Sequence, residues 1–499
     1  MSFLGLDIGT SSCKVVVFNR KGRPIASAAR EYAVESPQPD WAELNSQKVG
    51  DACLAAIAEA ASRCFRDLVE GLAISCQGEA FTVLDEQDHL LTNAMVSSDN
   101  RALRQVHSWS FDAGLLYKKT GHTAHPIFSL YKLLWLQKER PDVWSGIGRI
   151  LCFEDYIHYR LGLEPAISFS LAARTMLFNV QQNRWDSDIL AASGIRIGQL
   201  SRPLPSGEVV GTLSEEVCRK LNLAPHAVVV TGGHDQVCAA LGCGAIRPGI
   251  AALGSGTVEC ITASFSKPIL NTALRDANLC TYPHAAPGLY ATLAYNLSGG
   301  NVLRWFLREF GATEVAAALQ NGGDAYDLIA ALMPNNPTGL MVLPYFTGSG
   351  TPHFDNHTPA AVLGLRLTTS RGEVLRAILE GLCFELEANL RVLSRSGIPV
   401  EELRVTGGGA KNRRWLQIKA DVFNRPIFVP ESTEAGCLGV ALLACLARDN
   451  CDVPSLVAQW IRTGEAILPN SNHAKFYRER AALYEETYAS LRCLSERLF

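Results

Sequence analysis

An α/β protein of two related domains facing each other across a cleft is the fold class this sequence predicts, and three observations carry it. Val228–Val230 is an apolar, β-branched run flanked by Pro225 and Gly232, the pattern of a buried strand. Gly232 and Gly233 then read as a sharp turn that brings backbone close to a ligand, with Asp235 just past the strand end, where open α/β sheets place their chemistry. The third observation is an echo. A strand, a small polar glycine turn and a second strand occur at 3–19 and again at 250–263.

Composition sets the limits. A chain of 499 residues should hold two or more domains, and 47% hydrophobic residues suffice for large cores. A net charge of −3 supplies no basic field, so no nucleic-acid partner is expected. Met1–Phe18 is apolar but carries Asp7 and Lys14 and no basic leader, which makes it a strand rather than a signal peptide. No apolar run is long enough to span a membrane. The fifteen cysteines are scattered without any C-x-x-C, as small buried thiols in a reducing cytoplasm would be, and no zinc site is expected.

Taken in order, residues 3–8 form a strand, Asp7-Ile-Gly-Thr-Ser-Ser12 a polar turn, and Lys14–Asn19 and Pro24–Tyr32 two more strands around the Arg20–Arg23 turn. Gly9, Thr10 and Ser11 in such a turn can wrap N–H groups and hydroxyls around a phosphate; the other reading is an Asx turn. It is not a Walker A loop, since G-x-x-x-x-G-K-[ST] is absent. Gln47–Cys64 is an amphipathic helix; Gly71–Ser75 and Phe81–Leu84 are strands, the first leading into Gln77-Gly78-Glu79. Asp99-Asn-Arg101 follows the next extended piece. Polar residues at these successive strand ends read as one side of a substrate cleft, or as ordinary solvated loops. Ser129–Glu139 is a helix that Pro141 ends. Beyond Asp235-Gln236, the Gly254-Ser255-Gly256-Thr257 turn joins strands 250–253 and 258–263, and Ser298-Gly-Gly-Asn301 opens helix 302–310. Ser370-x-x-Glu373 is a capping box for a core helix running to about Leu393. Strand 403–406 enters Gly407-Gly408-Gly409-Ala410-Lys-Asn412, where three glycines before helix 414–423 let a flat or charged ligand lie on backbone. Glu434-Ala-Gly436 opens a helix to Leu446, and the segment from His473 is a charged surface helix.

With these turns placed, the chain resembles the FGGY family of carbohydrate kinases from residue 3 to about 447. Lys132-Leu-Leu-Trp-Leu-Gln-Lys-Glu139 is similar to the family's N-terminal signature, and Ala360–Leu365 with Glu373–Glu380 to its C-terminal one. The resemblance implies two actin-like ATPase (ribonuclease H-like) domains facing a central cleft: 1–246 with the sugar side and the catalytic aspartate, 247–499 with the nucleotide side. It implies ATP and Mg²⁺. Asp7, Gly9, Thr10 and Ser11 would form the first phosphate hairpin with Asp7 near the metal, and Gly254, Ser255, Gly256 and Thr257 the second. Gly407, Gly408, Gly409, Ala410 and Asn412 would form the adenosine loop, and Asp235 would be the base. Gln77, Gly78, Glu79, Asp99, Asp235 and Gln236 would meet the substrate. A hinge is expected near Cys243–Gly249, and a homodimer in the cytoplasm is the assembly the family suggests.

The pocket residues match no branch of the family cleanly. Xylulose kinases carry Met-His at Gly78-Glu79, a Trp at Ser97, and Glu-Arg at Ser349-Gly350. Gln77, Glu79 and Asp235-Gln236 look like glycerol kinases, which have an Arg at Gly78. Small residues at 78 and 97 predict a roomier pocket, hence a ketose acceptor, with a linear polyol as the alternative. Three readings from other classes carry less: a non-catalytic sugar or nucleotide sensor of this fold, an actin- or chaperone-like ATPase, and a Rossmann dehydrogenase, for which G-x-G-x-x-G is missing.

Overall fold

The computed structural model describes residues 1–355, 357–449 and 451–498. Its first half contributes β1 (Ser2–Ile8), β2 (Ser12–Asn19), β3 (Pro24–Glu31), β4 (Val69–Cys76), β5 (Val209–Thr212) and β6 (Val228–His234), joined in the order β5-β6-β4-β1-β2-β3. The second half contributes β7 (Gly249–Ser255), β8 (Glu259–Phe265), β9 (Tyr282–Pro283), β10 (Tyr290–Asn296), β11 (Val400–Thr406) and β12 (Ile427–Phe428), in the order β9-β10-β8-β7-β11-β12. Each sheet is an antiparallel meander, β1-β2-β3 or β7-β8-β10, whose first strand carries parallel neighbours, β4 and then β6 or β11 and then β12. The echo in the sequence is therefore a repeat of topology, and it is the ribonuclease H-like pattern twice over.

Two readings change. First, β6 does not turn at Gly232 but runs on through Gly233 to His234. Its register against β4 shifts between Val230 and Gly233, and any Cβ on Gly232 would run into the Ile74 carbonyl. The glycines serve a bulge and a close backbone approach inside the sheet. Second, the helix Ser471–Leu498 is not a surface ornament. Tyr477, Tyr484 and Tyr488 are buried in the second core, and Tyr477 and Tyr484 each donate at 2.6 Å, to Glu380 Oε1 and Glu385 Oε2 of the helix Arg371–Arg395. The charged face seen in the sequence hid this tyrosine stripe. Pro141 ends the helix Ser129–Glu139 as read, but it also starts a short helix to Gly146.

The two cores are joined by an exchange of chain. The helix Ala435–Leu446 is apolar all round and lies in the first core with Leu456 and Trp460, although it follows the second sheet in sequence. It packs against the helix Asp235–Gly242, and Ala240, Cys243, Ala245, Ile250, Ala252 and Ala435 form a small cluster where the chain crosses. The cysteines are free thiols, and all but Cys260, Cys451 and Cys493 are buried.

Candidate active site

Three parallel strands of the first sheet end side by side. Asp7 pairs in register with Ser75, and Ser75 with Gly233, so the ends of β1, β4 and β6 present Asp7, Gln77 and Asp235 along one edge. Two strand spacings separate Asp7 from the β6 end, about 10 Å. In the second sheet Gly254 pairs with Thr406, which puts the Gly254–Thr257 turn beside Gly407. Both sets lie at the carboxyl ends of parallel strands, where α/β sheets bind ligands.

The first turn is open. Thr10 and Ser11 are exposed, Gly9 N donates to Ser12 O, and Tyr32 Oη and Gln77 Nε2 both donate to Gly9 O. Thr10 Oγ1 donates to Gln77 Oε1 at 3.2 Å, tying this turn to the end of β4. Ser75 Oγ donates to Asp7 Oδ1 at 2.6 Å. Burial raises the Asp7 carboxyl above its usual range, the Ser75 bond opposes this, and the nearby Glu434 charge adds to it.

Asp235 opens the helix Asp235–Gly242. Its side chain is 32% exposed, but Oδ1 is enclosed and has no aligned partner among the described residues, with His234 Nε2 3.2 Å away. Burial first, then the charges of Asp7 and Glu79, push its carboxyl up to about 7, against hydrogen bonds from Gln236. His234 is held neutral, well below the usual histidine range, by burial and by the Arg174 cation; its Nδ1 meets Tyr282 Oη at 3.0 Å. An aspartate on a rigid helix start, uncharged at acid pH and charged at alkaline pH, can take a proton from a hydroxyl.

Around Gly78 the structure corrects the sequence reading. Gly78 leaves no extra room, because a Cβ there would meet His234 Nε2 at 2.9 Å and Arg174 Nε at 3.3 Å. Glu79, at φ 65, is 3% exposed. It accepts from Arg174 Nε at 2.5 Å and from Ser97 Oγ at 2.7 Å, while its carbonyl accepts from Ser129 Oγ. Ser97 is thus a ligand of Glu79 and not a gap. Gly78→Met is expected to displace His234 and destabilise the fold by about 1–3 kcal/mol, read as a lower denaturant midpoint at unchanged slope. Asp99 is taken up by its own neighbours. It is fully buried, accepts from Ala42 N, and is bridged by Arg101, which sits 3.6 Å over Trp41. Wholly buried Lys132 clamps the neighbouring loops by donating to Val96 O and Ile127 O, and burial lowers it to about 8.

In the second sheet Gly256 and Thr257 are exposed, as are Gly407 and Gly408, and nothing among the described residues lies near the Cβ position of Gly408. Gly409 packs on Ser255, joining turn and loop, and Ala410 lies half-buried beside it. Two residues are turned inward. Ser255 Oγ donates to Glu259 Oε1 at 2.7 Å, and Asn412 Oδ1 caps the helix Arg413–Phe423 by accepting from Trp415 N. Gln236 lies half-buried next to Asp235. Sequence reasoning missed Arg174, Tyr282 and the buried pair Glu259–Lys419. The one signal was a lone cation in an apolar run, Leu171-Ala-Ala-Arg-Thr-Met-Leu-Phe178.

Comparison with known proteins gives one consistent answer. Residues 2–242 match the FGGY family of carbohydrate kinases, N-terminal domain, and residues 251–448 match the C-terminal domain. The chain is 28% identical over 488 residues to the gluconokinase of Bacillus licheniformis, covering 96% of this chain and 94% of that one. It is 27% identical over 499 residues to the xylulose kinase of Bacillus subtilis, covering 99% and 98%. The ligand-bound xylulose kinase from Lactobacillus acidophilus superposes with a TM-score of 0.91 at 25% identity over 100% of each chain. A kinase of the same kind from Brucella ovis superposes at 0.89 with 26% identity, over 99% of this chain and 100% of that one.

Proposed function

We propose, for this chain that belongs to the FGGY family of carbohydrate kinases and so moves a phosphoryl group from ATP to a sugar, that Asp235 is the base and that the acceptor is a ketose, a pentulose or hexulose. The observation that carries the first part is the place of Asp235, on a helix start at a strand end with a carboxyl tuned to about 7. Asp235 takes the proton of the acceptor hydroxyl as that oxygen bonds to the γ-phosphorus. The bond from that phosphorus to the bridging oxygen breaks, and ADP leaves. The turns at 7–12 and 254–257 hold the phosphates by backbone N–H groups and Thr10, Ser11 and Thr257; Gly407–Ala410 backs the adenosine.

Asp7 fits Mg²⁺. Ser75 fixes one of its oxygens, and such an ion needs only one or two carboxylates besides water and phosphate. When bound it would neutralise phosphate charge. The division at 246/247 with a hinge at 243–249, a homodimer, a cytoplasmic location and the absence of a nucleic-acid partner complete the reading. A net charge of −3 supports the last of these, and no helix among the described residues is long and apolar enough to cross a membrane.

The xylulose kinase relatives, matched over their whole length, support a ketose. Gluconate is the second reading, from the gluconokinase relatives, but Glu79 already neutralises Arg174, the one Lys or Arg among the described residues that line the pocket there. The test is sugar-dependent ATP consumption over pentuloses, hexuloses, gluconate, tetritols, pentitols and glycerol, with and without Mg²⁺. A ketose should lead in kcat/KM by about tenfold. A polyol or gluconate in front would overturn the substrate assignment, and binding without turnover would make the chain a sensor.

A further inference from the structure

Beside the Glu79–Arg174 pair lies a narrow pocket of about 30 Å³, room for a water-sized group such as one hydroxyl, that the reaction as described does not use. Residues from both halves line it: His122, His125 and Arg174 from the first, Asn278, Tyr295 and Phe354 from the second. His122 is only 1% exposed, yet neither of its ring nitrogens has a hydrogen-bond partner among the described residues. A buried imidazole left unpaired on both edges is costly, and such groups are rare unless something outside the chain satisfies them. The ring packs between Phe128 and Tyr282, with centroids 4.8 and 5.8 Å away. Burial and the Arg174 cation keep it neutral, well below the usual histidine range. A neutral imidazole offers one N–H donor and one acceptor, which is what a hydroxyl complements.

The pocket is continuous with the chemistry. Tyr282, tilted against His122, receives or gives the hydrogen bond with His234 Nδ1, and His234 Nε2 lies 3.2 Å from Asp235 Oδ1. Arg174, also in the lining, holds Glu79 and sits 4.9 Å over Phe128. A chain of carbons reacting at Asp235 and passing Glu79 would put its far end here. The aromatic faces of Tyr295, Phe128 and Phe354 suit the C–H face of a sugar.

We propose that His122 is a specificity-determining residue that hydrogen-bonds a hydroxyl at the end of the acceptor remote from the phosphorylated one. The acceptor is thereby restricted to neutral sugars of about five or six carbons. This rests on the kinase reading above.

The test is His122→Phe, which keeps an aromatic ring between Phe128 and Tyr282 and removes both nitrogens. Against the ketose that the native enzyme prefers, KM should rise about tenfold while kcat stays within about threefold. Turnover of glycerol, too short to reach the pocket, should not change, and the melting temperature should hold or rise. His122→Asn, which restores a donor and an acceptor, should recover part of the lost affinity. An unchanged KM for the ketose in His122→Phe overturns the proposal, and so does an equal rise for ketose and glycerol. If the native enzyme consumes no ATP with any sugar, the kinase reading itself has failed, an outcome distinct from those two.

Discussion

Asp235→Asn is expected to fold as the native chain does, to bind ATP, and to lose about 10²–10⁴ in kcat. The amide is the shape of the carboxyl and cannot take the acceptor's proton, while the groups around it, Gln236 and neutral His234, lose no charged partner they depend on. The pH profile is the second half of the same result. With the carboxyl of Asp235 at about 7, native kcat/KM should fall about tenfold for each unit below pH 7, and the variant should lack that limb. Stability should move the other way. A carboxyl raised from 3.8 to about 7 on folding favours the folded state at acid pH relative to alkaline pH. Its burden on the fold grows from about pH 4 and levels off above pH 7. The Asn variant should therefore match the native melting temperature near pH 4 and equal or exceed it at pH 8. Near-normal turnover by Asp235→Asn would remove it as the base. Glu79 could not easily replace it, since its oxygens are held by Arg174 and Ser97.

The fold was legible because its signals are local. β-branched runs, glycine turns and the Ser370–Glu373 capping box each mark a strand or a helix start within a few residues, and the capping box closes reciprocally in the structure. The repeat of the meander was legible for the same reason. What sequence could not show was which polar residue turns toward which neighbour. Asp99 and Asp235 both follow strands and look alike in a line of text. Asp99 is consumed by an arginine two residues on, whereas Asp235 is left free by a histidine that packing keeps uncharged. The size of the pocket at Gly78 failed likewise. The missing side chain is filled by His234 and Arg174, which lie 156 and 96 positions later in the chain. Such compensation is a property of tertiary packing and leaves no local trace. The exchange of the helix Ala435–Leu446 into the first core is equally silent, since an all-apolar helix fits either core.

Lys419→Met is expected to be among the most damaging single substitutions outside the cleft, for a reason that also concerns ATP. Lys419 and Glu259 are both fully buried and meet at 2.7 Å, with the ammonium 3.3 Å above the Trp415 ring. Removing the cation strands the carboxylate with Ser255 as its one side-chain donor among the described residues, and breaking such a buried pair costs about 3–5 kcal/mol. The pair also joins two elements of the proposed nucleotide site. Glu259 holds Ser255 at the foot of the 254–257 turn, and Lys419 lies in the helix that follows the glycine loop. Surviving Lys419→Met protein should therefore show a raised KM for ATP while KM for the sugar changes little. The double variant Lys419→Met with Glu259→Gln removes both charges and should recover most of the lost stability, because a buried pair replaced as a unit is often neutral. Retention of native stability by Lys419→Met alone would sink the argument. So would a double variant no better than the sum of its parts, since the damage would then come from lost volume and not from an orphaned charge.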